Sequence, residues 1–113
     1  MDPNWRRLRM LKPGSNDRKY YLTFTEDEVE ELVYHAEELV ECFGLNARIR
    51  KYKGKRPIGL YRWDIEALYY TYSYLLERDF EGLYKDKKSP DYQAMQSLVN
   101  KLKGYMDMAF SDY

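Results

Sequence analysis

Between residues 18 and 24 the chain alternates, with Tyr20, Leu22 and Phe24 on one side and Tyr21 and Thr23 on the other. This period of two predicts a half-buried strand over Arg18–Phe24. Upstream, Pro13-Gly14-Ser15-Asn16-Asp17 is dense in turn formers, so Leu8–Leu11 is expected to supply a partner strand. A short helix from Trp5 is the competing assignment for that stretch, because Trp5 and Leu8 also fit a helical spacing.

The period then lengthens. Thr25 followed by Glu28 is a capping-box pair, which starts a helix at Glu26. Val29, Leu32, Val33, Ala36, Leu39, Val40 and Phe43 fall within one arc at 100° per residue, and Gly44 provides a stop, so one helix is expected from Glu26 to Phe43. From Asn46 to Trp63 the pattern shortens to Ala47 and Ile49, then Lys53-Gly54-Lys55-Arg56-Pro57, then Ile58, Leu60 and Tyr61, which predicts a second hairpin around a basic turn. Pro57 and Gly59 favour an edge position for its second strand.

Asp64 is expected to cap a helix whose apolar stripe is Ile65, Leu68, Tyr69, Tyr72, Leu75, Leu76, Phe80 and Leu83. Ser89-Pro90 opens another, with Tyr92, Met95, Val99, Leu102, Met106 and Phe110 on one face. The charged connection from Lys85 to Ser89 is short, so these two helices form an antiparallel hairpin. The expected order is β-β-α-β-β-α-α: an α+β fold in which a small antiparallel sheet of two hairpins packs with three helices, all in a single domain over residues 1–113.

Composition narrows the class. Hydrophobic residues make up 44% and charged residues 34%, a globular balance rather than a disordered or membrane one. No apolar run approaches the roughly 20 residues that span a bilayer, and the basic stretch Met1–Leu11 lacks the apolar core of a signal peptide. A cytoplasmic protein without membrane contact is expected. One cysteine, Cys42, and one histidine, His35, leave no intrachain disulfide and no ready zinc site. No cofactor is expected.

The formal net charge is zero, but the charges are sorted. Residues 26–45 hold eight acidic and no basic side chains, and 46–63 hold seven basic and no acidic ones. Arg48, Arg50, Lys51, Lys53, Lys55, Arg56 and Arg62 are interleaved with Tyr52, Tyr61 and Trp63. Cations neutralise phosphates and exposed rings stack on unpaired bases, so this segment is the candidate site for an anionic partner, either nucleic acid or an acidic protein. The bland alternative is an edge strand that carries Lys and Arg to resist aggregation, with Trp63 packing at the next helix's start.

The acidic helix presents Glu26, Glu30, Glu37 and Glu41 opposite its apolar stripe, a face that is either hydrated or complementary to the basic block. His35 lies near Glu31 and Glu38 and is expected as a surface histidine paired with glutamates, not a metal ligand. Asp79 falls inside an apolar arc and requires a partner. Of the thirteen tyrosines, Tyr70 and Tyr74 point away from the stripe and form a candidate protein interface, unless a second cover buries them. No nucleotide-loop, zinc-protease or hydrolase motif occurs, so a non-enzymatic binding protein is expected. The alternative is a protein-interaction or structural subunit that uses the tyrosine-rich helical face and binds no nucleic acid.

Overall fold

The computed structural model describes residues 18–39 and 44–111. Strand β1 (Tyr20–Leu22) leads into helix α1 (Glu26–Tyr34) and a 3-10 turn (Ala36–Glu38). Helix α2 (Leu45–Lys51), strand β2 (Ile58–Leu60), helix α3 (Arg62–Arg78) and helix α4 (Pro90–Ser111) follow. The fold is thus mixed helix and sheet, with four helices and one two-stranded antiparallel sheet among the described residues. No described helix is long and apolar enough to cross a membrane.

The expected strand Arg18–Phe24 is present in its central part, Tyr20–Leu22. Its partner is β2, in the register Tyr20 with Leu60, Tyr21 with Gly59 and Leu22 with Ile58. The expected second hairpin is therefore not formed: among the described residues β2 pairs with β1, and the two strands are joined through α1 and α2. The expected strand at Leu8–Leu11 lies outside the described residues.

The capping box forms as expected: the Thr25 N–H donates to Glu28 Oε1 at 2.7 Å, and the Glu28 N–H donates to Thr25 Oγ1 at 3.2 Å. The helix does not run on to Phe43, however. It ends at His35, the chain tightens into the 3-10 turn, and Leu39 is extended at ψ 134°. Ala36 and Leu39 nonetheless stay buried, so the apolar arc is met by a change of backbone rather than by continued helix.

Gly44 does not stop a helix but begins one, in the left-handed region at φ 79°. The segment expected as the first strand of a basic hairpin is α2. Leu45 and Ile49, four residues apart and both fully buried, give it a helical period that the Ala47/Ile49 alternation obscured.

Helix α3 starts two residues before the expected cap, so Asp64 is its third residue and accepts from the Tyr61 N–H at 3.1 Å. It ends at Asp79, at φ 47°, which leaves Phe80 outside the stripe and 68% exposed. Asp79 finds its partner in the Tyr84 N–H, at 3.1 and 3.2 Å from its two oxygens. Ser89 caps α4 as expected, accepting from the Tyr92 N–H at 3.1 Å. Phe110, at the far end of the expected stripe, is exposed, and Ala109 is buried in its place. The core joins Leu22 and Leu60 of the sheet to Leu32, Leu45, Ile49, Ile65, Leu68, Met95, Leu98 and Leu102 of the helices. Tyr72 crosses it and donates from its hydroxyl to Leu32 O at 2.5 Å, which satisfies the one polar atom that its ring carries inward.

Candidate nucleic-acid interface

Alternation along β1 turns Tyr20 and Leu22 to the core and Lys19 and Tyr21 to the outside. Register then places Tyr21 across from Gly59. A Cβ at residue 59 would lie 2.6 Å from Lys19 Cδ and 3.1 Å from Tyr21 Cε1, so both side chains lie over the bare glycine. Glycine here gives aromatic and aliphatic side chains a flat seat on the outer sheet face. Tyr21 remains 67% exposed. The Lys19 ammonium stands 5.4 Å from the Tyr61 ring centroid, within cation–π range. Tyr61 in turn stacks on Trp63, with centroids 5.1 Å apart and planes 14° from parallel.

Arg48 holds this junction. Its guanidinium donates to Gly59 O at 3.3 Å and to Asp64 Oδ2 at 3.1 Å, the oxygen that also accepts from the Tyr61 N–H. Asp64 is fully buried, so this carboxylate needs its cation, and Arg48 is engaged in building the β2–α3 corner. Arg50 reaches Glu37 at 2.5 Å on the surface. The sequence-derived candidates therefore divide. Arg48 and Arg50 are tied to carboxylates of this chain, and Arg62 is half-buried in the first turn of α3 with a partner of its own.

Lys51, Lys53, Lys55 and Arg56 are exposed, and none forms an ion pair with a described residue. They sit on the end of α2 and the loop that feeds β2. The Tyr52 hydroxyl closes that loop by donating to Arg56 O at 2.5 Å. Gly54, at φ 76°, sits against Val29 of α1, so the loop rests on the acidic helix without its cations pairing there. Of the acidic block, only Glu37 pairs with the basic block among the described residues.

Sequence reasoning missed two residues of this surface, Lys19 and Tyr21. The signal was present in the alternation, which put Tyr21 on the outer side of β1. What was absent was the knowledge that β2 lies beside it.

The other candidate surface is on α3. Tyr70 is 58% and Tyr74 51% exposed. Tyr70 meets the edge of Tyr69 at 5.2 Å and borders a groove of about 240 Å³ shared with Met106 and Phe110. Tyr74 approaches Phe80 at 5.9 Å, and the Arg78 guanidinium carbon lies 5.8 and 5.7 Å from the two ring centroids.

His35 is not the surface residue expected. It is buried, its Nε2 is 2.7 Å from the Tyr84 hydroxyl, and it is edge-on to Tyr34 at 4.8 Å. The Tyr84 hydroxyl donates to Glu31 Oε1 at 2.5 Å. With that proton committed, the neutral imidazole carries its hydrogen on Nε2 and donates to the tyrosine oxygen. Burial pushes the His35 imidazole below its ordinary pKa, against the pull of Glu81 and Glu38. Burial likewise raises Glu31, opposed by the Tyr84 hydrogen bond and reinforced by Asp91 and Glu30. Beside Glu31 and Tyr84, a cleft of about 250 Å³ is lined by Glu30, Tyr34, Leu83 and Asp91. No group of three or more His, Cys, Asp or Glu among the described residues is arranged to hold a metal. Cys42 and Glu41 lie outside the described residues.

Comparison with protein families, with curated proteins and with solved structures finds no match to this chain.

Proposed function

We propose that this chain is a non-enzymatic binding protein that engages an anionic partner through one composite surface, made of the α2–β2 loop and the outer face of the sheet. The observation that carries the reading is the set of four exposed cations, Lys51, Lys53, Lys55 and Arg56, which within six residues make no ion pair with a described residue and lie at the end of α2 and on the loop that leads into β2, the strand paired with β1 and followed by Tyr61 and Trp63. Unpaired surface cations gathered on one loop raise the local concentration of an anion and steer its approach. Arg48 and Asp64 act by positioning, since they hold the corner from which Tyr61 and Trp63 project.

The test is the replacement of Lys53, Lys55 and Arg56 together by glutamine. Exposed charges contribute little to folding, so stability should change by less than about 2 kcal/mol. Binding of a labelled polyanion should weaken and become less sensitive to salt, because each lost phosphate contact lowers the slope of log affinity on log salt by about 0.7–0.9. A wild-type chain that binds no polyanion at low salt would sink the proposal.

A second reading rests on Tyr70, Tyr74 and Phe80. Three large exposed rings on and just beyond one helix suit a protein partner held by aromatic contact. Such a complex would change little with salt, which separates it from the first.

A further inference from the structure

Resting on the composite surface just proposed, we infer that its anionic partner is single-stranded nucleic acid, whose unpaired bases lie on Tyr21 and the Tyr61–Trp63 stack while its phosphates meet Lys19 and the loop cations.

Three features separate this ligand from other anions. First, an acidic protein needs only cations, and this surface also carries one exposed ring, Tyr21, on the solvent side of the sheet and a half-buried stacked pair, Tyr61 and Trp63, just beyond β2. Tyr21 is the most exposed of them, on a strand whose other side chains, Tyr20 and Leu22, are buried. Second, Gly59 across from Tyr21 removes the side chain that would otherwise stand between the Lys19–Tyr61 pair and Tyr21. The outer face is thus low and ring-lined, and base faces can reach it. Third, the cations and the rings follow one another along the chain. From Lys55 to Tyr61 is six residues, about 20 Å if extended at roughly 3.3 Å each. That is a length for a few nucleotides, at the lower end of the roughly 4–16 that one small binding fold accommodates. A duplex would offer its phosphates to the loop but keep its base faces within its own stack, so the rings select for unpaired strands.

The full-length chain can be titrated with four labelled probes: a thymidine strand and a uridine strand of about a dozen nucleotides each, a duplex of equal length, and polyglutamate. A single strand should bind tightest and quench tryptophan emission, and whichever of thymidine or uridine binds better identifies the natural backbone. Tyr21→Leu, which still covers Gly59, should weaken single-strand binding by roughly five- to a hundredfold, the range for losing one stacked base. Tyr21→Phe should restore it, and neither should alter duplex or polyglutamate binding. Thermal melting of both variants checks that the sheet is intact. If polyglutamate or duplex binds as tightly as the single strands, or if Tyr21→Leu leaves single-strand affinity unchanged, the inference is overturned while the anionic surface stands. If none of the four probes binds, both fall together.

Discussion

Lys101 of α4 places its ammonium 2.6 Å from Glu28 Oε1, a carboxylate that is 1% exposed at the start of α1. The same oxygen accepts from the Thr25 N–H, and Oε2 accepts from Ser97 Oγ at 2.6 Å. A residue that reads in the sequence as a local cap is therefore also the joint between the first helix and the last. Desolvation pushes the Glu28 carboxyl up, but Lys101, Ser97 and Thr25 together outweigh it and hold the group below the ordinary glutamate range.

Lys101→Met should accordingly destabilise the fold by about 3 kcal/mol at neutral pH, the scale for stranding one member of a buried pair. The loss should shrink in acid, where Glu28 becomes neutral. Because the folded pKa of Glu28 is lowered, its contribution is full above the unfolded value of about 4.3 and disappears as pH falls through the folded one. Urea midpoints of wild type and variant across that range should converge. Adding Glu28→Gln to Lys101→Met should recover part of the deficit, and a double variant worse than the single one would contradict the assignment.

His35 acts in a higher pH window. Its lowered folded pKa means that the unfolded chain takes up a proton first, so stability is complete above about 6.5 and declines as pH falls below that value. Glu31, raised in the folded state, contributes in the opposite sense: its share is present below about 4.3 and is lost as pH rises through its folded value. His35→Gln should flatten the dependence between roughly pH 7.5 and 5.5 in denaturant titrations. An unchanged slope would mean that the histidine is not the proton acceptor.

Two glycines share a left-handed backbone but not a neighbourhood. At Gly44, φ 79°, a Cβ would meet nothing within 4 Å, whereas at Gly54, φ 76°, it would lie 2.9 Å from Val29 Cγ2. Gly44→Ala should cost about 1 kcal/mol, for backbone strain alone. Gly54→Ala should cost about 3 kcal/mol, since overpacking is added to it. Equal thermal shifts would show that the basic loop is not seated on α1.

Replacing Tyr70 and Tyr74 together by serine should lower stability by less than about 1 kcal/mol, because both rings are more than half exposed. It should also leave nucleic-acid binding unchanged. A loss of several kcal/mol, of the size seen on truncating core aromatics, would place the rings inside a cover.

Local pattern carried some elements of this fold completely. The capping box at Thr25 and Glu28, the Ser89 cap before Pro90, and the outward direction of Tyr21 all follow from spacing over a few residues. Each involves groups close together in the chain, and no distant neighbour overrides them. The long helix expected to Phe43 failed for the opposite reason. Its apolar arc is unbroken, yet the helix ends at His35, whose imidazole turns in to Tyr84, forty-nine residues away. The basic segment failed likewise, since seven residues with two buried positions fit either period, and packing against the core chose the helix.

Sequence alone determined that this chain has enough apolar surface for a core, that its charges are sorted into an acidic and a basic block, and where the first and last helices begin. Those are properties of composition and short-range spacing. Only the tertiary structure decided which cations are engaged: Arg48 with Asp64 and Arg50 with Glu37, while Lys51, Lys53, Lys55 and Arg56 make no ion pair with a described residue. Only it brought Lys19 and Tyr21 beside Gly59 and Tyr61, some forty residues downstream. The reason is physical. Charge and aromaticity belong to a residue wherever it lies, but whether they meet a partner or the solvent depends on which distant strand or helix the core draws alongside.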